Sequence, residues 1–178
     1  LEFRRVLFRS ACLFEVGSVY LPVDGEKLPA EPKRLAWAMT GRRAGEFWAD
    51  TGKPTSTNVD FFDLKGLIEN LVSELHLAKA SYVPTKAPYL HPGKAADLKI
   101  GEITIGTFGS LHPKVAEAFG LGGKEILVAD IDLEKLLTLV PSRYLYAPVP
   151  RFPAALRDIA IVVDEGTPAE KLVGEIQA

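Results

Sequence analysis

The feature that most constrains the fold is one amphipathic helix, followed at once by strands that short turns can connect. Asn58 or Asp60 can accept hydrogen bonds from the free amides at the helix start. The apolar residues after them recur at helical spacing and form one stripe, namely Phe61, Leu64, Ile68, Leu71, Val72 and Leu75. Gly66 lies inside this helix and costs about 1 kcal/mol relative to alanine. Its presence predicts a close approach by another backbone.

Strand patterns lie on both sides of this helix. Residues rich in β-branched and aromatic side chains predict strands at 13–20, 34–41, 81–83, 95–100, 102–108 and 125–131. Short helices are predicted over 112–119, with Pro113 in the first turn, and over 133–139. Strands joined by hairpins and long loops imply a mostly antiparallel sheet with helices on its faces. The predicted fold class is therefore α+β.

A second, smaller unit is predicted near the C-terminal end. The proline-punctuated stretch Pro141–Pro153 separates it from the rest of the chain. Leu156–Val163 is apolar enough to predict a buried strand. Thr167 and Glu170 then have the spacing of a capping box at the start of a last helix.

Composition excludes several classes of protein. Apolar residues make up 47% of the chain and charged residues 25%, which excludes general disorder. No apolar run approaches the roughly 20 residues that span a bilayer. The single cysteine, Cys12, excludes an intramolecular disulfide framework, fits a reducing cytosol and is predicted to be buried. Phe47 and Trp48 are predicted to plug an edge of the core.

The charge pattern argues against RNA binding by this chain alone. Its net charge is −2, whereas a domain that binds nucleic acid by itself usually carries a positive stripe. The basic leader 1–10 runs directly into the first strand pattern without a cleavage-like spacer. We interpret it as foreign sequence, with an amphipathic targeting peptide as the alternative. Because the chain lacks an initial Met and stops inside a predicted helix, both ends are expected to be cut.

No constellation of side chains predicts catalysis by the chain itself. The histidines His76, His91 and His112 lack the spacing of zinc ligands. His91 and His112 each lie in Leu-His-Pro, where the ring can hydrogen-bond the backbone and fix a turn; a catalytic role is the alternative. His76 lies near the end of the long helix, where an imidazole favours the negative helix terminus. Asp60 and Asp63 are explained as residues that stabilise the helix N-terminus.

Gly106 and Gly109 make a weak suggestion of a phosphate-binding loop. They are not followed by the Lys-Ser or Lys-Thr of a Walker loop, and they do not form a dinucleotide fingerprint ahead of a long helix. The alternative is a sheet crossing that needs small residues. A serine or cysteine nucleophile signature is also absent from the sequence. We therefore predict no catalytic, cofactor-binding or metal-binding residue in this chain.

Three phrases in a fixed order carry a family resemblance. Residues 60–66 read Asp-Phe-Phe-Asp-Leu-Lys-Gly, 90–96 read Leu-His-Pro-Gly-Lys-Ala-Ala, and 106–113 read Gly-Thr-Phe-Gly-Ser-Leu-His-Pro. In order and spacing they resemble the synthetase-like core of the β subunit of bacterial phenylalanine–tRNA ligase. Residues 152–165 are similar to the opening strand of the ferredoxin-like anticodon-binding domain that ends such subunits.

This resemblance implies a fold and its boundaries. The fold would be a class II aminoacyl-tRNA-synthetase-like antiparallel sheet flanked by helices, followed by a truncated ferredoxin-like domain. The implied boundaries are a foreign leader at 1–10, a catalytically inactive synthetase-like core at 11–143, and the first part of the anticodon-binding domain at 144–178. The truncated domain is expected to be loosely held, because its sheet edge would lack a partner.

The resemblance also implies that a nucleotide site has been lost. In the catalytic α subunit of this family, the closing strand meets its helix at Gly-x-Gly-x-Glu-Arg-Leu, which grips ATP. Residues 130–136 here read Asp-Ile-Asp-Leu-Glu-Lys-Leu. Aspartate adds bulk and negative charge beside an anionic ligand, and Lys135 lacks the planar guanidinium of arginine. The Arg-x-Glu phrase of the second family motif is also not evident.

The implied function is membership of an enzyme rather than chemistry by this chain. It would be a fragment of the non-catalytic β subunit, supporting ATP-dependent attachment of phenylalanine to tRNA(Phe) in the cytoplasm. Its partners would be the α subunit, in an (αβ)₂ heterotetramer, and tRNA(Phe) through the complete β subunit; no membrane is implied. No cofactor is expected in this fragment, whereas the intact complex would use ATP and Mg²⁺. The alternative is a free-standing synthetase-like paralogue, a binding or regulatory module without ligase activity.

Overall fold

The structure is a computed structural model, and it describes residues 10–43, 58–143, 146, 149, 151–153 and 155–177. The chain divides into two compact units, 1–144 and 145–178. The predicted core plugs Phe47 and Trp48 lie outside the described residues, as does the leader apart from Ser10.

The first unit is built on a six-stranded antiparallel sheet, which confirms the predicted α+β class. Its strands are β1 (Ala11–Ser18), β2 (Lys33–Thr40), β3 (Ala80–Pro84), β4 (Leu90–Ile100), β5 (Ile103–Leu111) and β6 (Ile126–Asp132). In space they follow the order β1-β2-β6-β5-β4-β3. β6, the last strand among the described residues, therefore joins the β1–β2 pair to the strands β3, β4 and β5.

The described part of the first unit contains the helices α1 (Phe61–Glu74), α2 (Pro113–Ala118) and α3 (Leu133–Thr138). The predicted cap of α1 is confirmed at Asp60, whose Oδ1 accepts a hydrogen bond from the Phe62 N–H at 2.8 Å. Asp63 completes a capping box by accepting the Asp60 N–H at 2.8 Å. No helix in the described ranges is both long enough and apolar enough to cross a membrane.

The apolar stripe of α1 packs on one face of this sheet. Phe108, at the centre of β5, stacks on Phe61 with ring centroids 5.2 Å apart and meets Tyr82 edge-on at 5.7 Å. The fully buried side chains beside it include Leu64, Ile68, Leu98, Leu127 and Ile131. Because successive side chains of a strand point to opposite faces, the residues between these core positions face away from α1.

Gly66 lies in the middle of α1, and the prediction that another backbone approaches it closely is wrong. A Cβ built at Gly66 meets no heavy atom of another described residue within 4 Å. We therefore expect Gly66→Ala to raise the free energy of unfolding by about 0.5–1 kcal/mol, because glycine loses more backbone entropy in a helix than alanine does. Urea unfolding followed by far-UV circular dichroism measures this gain. An unchanged or lower stability would contradict it.

Cys12 is exposed, so the prediction that it is buried is wrong. It lies on β1, the outermost strand at one edge of the sheet. On the same strand Leu13, Phe14 and Val16 are each more than half exposed. The residue type favoured burial, but an edge strand that no described element covers leaves both of its faces in solvent.

In the second unit the structure describes one helix, α4 (Ala169–Gln177). The prediction of a buried strand at Leu156–Val163 is wrong, since these residues form no strand and Leu156 and Val162 are almost fully exposed. A strand needs a neighbour to satisfy its backbone groups, and the described residues of this unit supply none. Thr167 precedes α4 by two residues, and the side chain of Glu170 lies outside the description, so the capping box stays a prediction.

Candidate functional site

The candidate site is the junction between β6 and α3, where the resemblance implies that a nucleotide-binding site has been lost. Asp130 and Asp132 lie two residues apart at the end of β6, so both side chains leave the sheet on the face opposite α1. Ile131, between them, belongs to the core under α1. Leu133 then begins α3 directly, without an intervening loop. The strand alternation therefore places two carboxylates at the start of a helix.

Arg34, on the neighbouring strand β2, holds both carboxylates. Its Nε donates to Asp130 Oδ1 at 2.9 Å and its Nη2 donates to Asp130 Oδ2 at 2.8 Å, a two-pronged ion pair. Its Nη1 lies 3.6 Å from Asp132 Oδ2. The strand register places Arg34 opposite Asp132. The hydrogen bonds to Asp130, with the attraction of both carboxylates, raise the pKa of Arg34 above its usual value.

Asp132 is buried and caps α3. Its Oδ1 accepts the Lys135 N–H at 3.0 Å, and its Oδ2 lies 3.0 Å from Lys135 Nζ. Burial acts to raise the pKa of Asp132, but the Lys135 amide, the Lys135 ammonium and the Arg34 guanidinium outweigh it and hold this pKa below its usual range. The carboxyl is therefore ionised at neutral pH.

These contacts do not fit a nucleotide. Each carboxylate carries a negative charge that repels phosphate, and the two cations that could attract phosphate, Arg34 and Lys135, are already paired with Asp130 and Asp132. A glycine-rich junction would instead let a nucleotide approach the backbone. The residues present at this junction are therefore unsuited to hold ATP.

The lowered pKa of Asp132 gives a testable pH dependence. A carboxyl with a lowered folded-state pKa stabilises the fold above its unfolded pKa of about 3.9, and this contribution is lost as the pH falls through the folded value. Asp132→Asn keeps an oxygen that can cap α3 but removes the charge. We expect the variant to be less stable than the parent at pH 7, and to lose less stability between pH 5 and pH 2. Urea unfolding across this range tests it, and parallel pH profiles for the two proteins would contradict it.

Gly106 and Gly109 lie where β5 approaches β6 and β4 too closely for a side chain. A Cβ at Gly106 would lie 2.5 Å from the Asp130 carbonyl oxygen and 2.9 Å from Ile131 Cα. A Cβ at Gly109 would collide with the Lys94 carbonyl oxygen and with Ala95. The predicted alternative, a sheet crossing that needs small residues, is confirmed.

The rings of the Leu-His-Pro histidines hydrogen-bond the backbone, as predicted, but not in turns: His91 lies within β4, and His112 caps α2. His91 Nδ1 accepts the Gly93 N–H at 3.1 Å, and His112 Nδ1 accepts the Lys114 N–H at 3.2 Å. His76 is exposed just beyond the C-terminal end of α1, with a left-handed φ of 52°. Across the described residues, no group of three or more His, Cys, Asp or Glu side chains could hold a metal ion.

Sequence reasoning located the junction but missed Arg34. A signal for its importance is present, because a charged residue that alternates with apolar residues on a strand needs a partner when it is partly buried. Asp130 and Asp132 show the same alternation within β6. The ion pair itself could not be predicted from the sequence, because Arg34 and Asp130 are 96 residues apart in the chain.

The fold and the junction together define a class: an α+β domain on a six-stranded antiparallel sheet, with ion-paired carboxylates where its last described strand meets a helix. Comparison with known families then identifies the family. The family model described as "Phenylalanyl tRNA synthetase beta chain CLM domain" matches residues 6–133. The chain belongs to this family.

Individual relatives agree with the family match. The chain is 41% identical over 164 residues to a phenylalanine–tRNA ligase beta subunit of Symbiobacterium thermophilum, covering 92% of this chain and 18% of that protein. It is 39% identical over 162 residues to the beta subunit of Geobacter metallireducens, covering 90% and 20%. For the beta subunit of Geobacillus kaustophilus the identity is 38% over 169 residues, covering 94% and 20%. The chain thus spans about a fifth of the length of these relatives.

Proposed function

We propose that this chain is a fragment of the non-catalytic β subunit of a phenylalanine–tRNA ligase, made of its synthetase-like core and the first part of its anticodon-binding domain. It supports the ATP-dependent attachment of phenylalanine to tRNA(Phe) without carrying out the chemistry. The observation that carries this proposal is the ion-paired junction, where Arg34 and Lys135 neutralise Asp130 and Asp132. A junction filled in this way stabilises the domain and leaves turnover to a partner subunit.

The proposed partner is the catalytic α subunit, in an (αβ)₂ heterotetramer in the cytoplasm. The name of the relatives, phenylalanine–tRNA ligase beta subunit, supports a partner of this kind. The exposed apolar side chains along β1, including Leu13, Phe14 and Val16, also favour burial against another chain. The complex would use ATP and Mg²⁺, and tRNA(Phe) would be bound through the complete β subunit.

We also propose the domain boundaries that the resemblance implies. A foreign leader would occupy 1–10, although the family match already includes residues 6–10. The inactive core would occupy 11–143, and the first part of a ferredoxin-like anticodon-binding domain 144–178. The division of the chain into compact units at 144 and 145 supports the second boundary. The exposed apolar run Leu156–Val163 supports a need for further strands, because such residues are usually covered in a complete domain.

ATP–pyrophosphate exchange tests whether the chemistry belongs to the partner subunit and not to this chain. We expect no phenylalanine-dependent exchange by this chain alone. The control is a phenylalanine–tRNA ligase α subunit co-expressed with a β subunit carrying this sequence as its core, which should show the exchange. Robust exchange by the isolated chain would overturn the proposal.

Co-purification tests the partner. A tagged full-length protein that contains this chain should retain an α subunit through affinity and size-exclusion steps. The free-standing paralogue predicts a protein that purifies alone from cells that express the α subunit, and that result would overturn the proposed assembly.

A further inference from the structure

The connection between β1 and β2 forms a loop that carries the only Asp-Gly pair of the sequence, Asp24-Gly25. At the base of this loop, Leu21 and Ala30 exchange two backbone hydrogen bonds of 2.9 Å each. Residues 22–29 lie beyond these bonds and are all exposed. The Asp-Gly pair therefore lies in solvent, outside the backbone hydrogen bonds of the sheet.

Asp24 and Gly25 are the two central residues of a tight turn. The Glu26 N–H donates to the Val23 carbonyl oxygen at 3.1 Å. Gly25 has a φ of 83°, whereas the φ of Asp24 is not positive, and this combination defines a type II turn. A Cβ built at Gly25 meets no heavy atom of another described residue within 4 Å. Because one exposed hydrogen bond contributes only about 1 kcal/mol, this turn opens easily.

An open Asp-Gly turn can react with its own backbone. The Gly25 nitrogen attacks Cγ of Asp24, a C–N bond forms, and the carboxyl oxygen leaves as water with the amide proton, which closes a five-membered succinimide. Glycine has no side chain to shield its nitrogen from this attack. Water then opens the ring at either carbonyl. Addition at Cγ breaks the new bond and restores aspartate, whereas addition at the main-chain carbonyl breaks the original peptide bond and leaves the chain linked through the Asp24 side chain.

We propose that Asp24 is a modification site at which isoaspartate forms without an enzyme. The isoaspartyl form keeps the mass and the net charge, adds one methylene to the main chain and carries a free α-carboxylate. That carboxylate makes the modified loop a substrate for a carboxyl methyltransferase that uses S-adenosylmethionine. The hydrogen bonds between Leu21 and Ala30 separate the added methylene from β1 and β2. The reaction needs no ATP and no partner subunit, so it stands apart from the proposed function.

The chain offers a matched comparison at Asp164. This residue is also exposed and also belongs to a turn, in which the Thr167 N–H donates to the Asp164 carbonyl oxygen at 2.9 Å. The residue that follows it is Glu165, whose side chain hinders attack by its own nitrogen. Asp24 and Asp164 therefore share exposure and a single turn hydrogen bond, and differ in the residue that supplies the nucleophile.

The test is incubation of the chain in H₂¹⁸O at pH 6, followed by digestion in ordinary water and peptide mass spectrometry. Ring opening adds one solvent oxygen, so the peptide containing Asp24 should gain one ¹⁸O atom with time. The peptide containing Asp164 should stay unlabelled over the same period. An isoaspartyl-directed methyltransferase with S-adenosylmethionine should then add one methyl group to the Asp24 peptide alone. A synthetic peptide of residues 20–31 should react about fivefold faster than the folded chain, the factor that about 1 kcal/mol of turn stability supplies.

Two variants locate the reaction. Asp24→Glu keeps the charge but would have to close a six-membered ring, so the label should be lost. Gly25→Asn places a side chain beside the attacking nitrogen and should also lose most of the label. Asparagine is suited to this position because it tolerates the left-handed conformation better than most residues. Far-UV circular dichroism of both variants should match the parent, since the loop lies outside the core.

Any of three results overturns the proposal. One is a folded chain that stays unlabelled at Asp24 while the peptide of residues 20–31 gains the label, which would mean that the fold prevents the reaction. Another is equal labelling of Asp24 and Asp164. The third is a Gly25→Asn protein that gains the label as fast as the parent. None of these results would alter the exchange and co-purification outcomes.

Discussion

Replacing Gly106 with alanine will lower the free energy of unfolding by about 2–3 kcal/mol, the upper part of the range for overpacked interior positions. The added Cβ would meet the Asp130 carbonyl oxygen at 2.5 Å and Ile131 Cα at 2.9 Å. Both are backbone atoms of β6, which is hydrogen-bonded to β2 on one side and β5 on the other. β6 cannot move away without weakening its backbone hydrogen bonds to β2 and β5. Urea unfolding monitored by circular dichroism gives the loss directly.

The matched control for this variant is Gly66→Ala, the same chemical change at a position with open space. Opposite signs for the two substitutions would show that the local space decides the effect and not the glycine itself. A Gly106→Ala protein as stable as the parent would mean that β6 and β5 are not packed as closely as the structure shows. It would also reopen the phosphate-loop interpretation of Gly106 and Gly109.

The elements that sequence predicted best are those fixed by local chemistry. The stripe from Phe61 to Leu75 and the cap at Asp60 predicted α1 to within a residue or two, because helical periodicity and capping depend on neighbours in the chain. The gap between the predicted strands 95–100 and 102–108 also falls at the turn between β4 and β5. Gly101 has a φ of 58°, a conformation that glycine adopts without strain.

The wrong predictions share one cause, which is that burial depends on partners and not on residue type. Leu156–Val163 has the composition of a buried strand, yet no described strand of its unit pairs with it. Cys12 belongs to a residue type that is usually buried, but it lies on an edge strand. Gly66 suggested a close contact by another backbone, and no residue in the described part of the chain makes one. To avoid each error, one would have to know which residues lie close in the fold but far apart in the sequence.

The candidate site also has a part that the sequence predicted and a part that only the structure showed. Its position in the chain followed from the phrase at 130–136, and the charges of Asp130 and Asp132 were read directly. The role of Arg34 depends on the β2–β6 register, which a single sequence does not determine. Its contacts turn a pair of carboxylates, repulsive in isolation, into a paired cluster that stabilises the domain.

Replacing Arg34 with methionine will lower the free energy of unfolding by about 2 kcal/mol. Removing one partner of a fully buried ion pair costs about 3–5 kcal/mol, whereas an exposed pair contributes about 0–1 kcal/mol. The side chains here lie between these limits, with Arg34 27%, Asp130 43% and Asp132 12% exposed. Methionine retains the apolar stem of arginine, so the loss reports the guanidinium. Urea unfolding at pH 7 measures it.

A double-mutant cycle with Asp130→Asn then isolates the pair. We expect Arg34→Met and Asp130→Asn together to cost less than the sum of the single changes, by about 1 kcal/mol, because each single change leaves a partner uncompensated. Lys94→Met is the matched control, since its pair with Glu125 at 2.9 Å is more exposed and should cost less than about 1 kcal/mol. Additive losses in the cycle would show that Arg34 and Asp130 are not coupled. The junction would then be a surface of independent charges, and its cations would be available to a nucleotide.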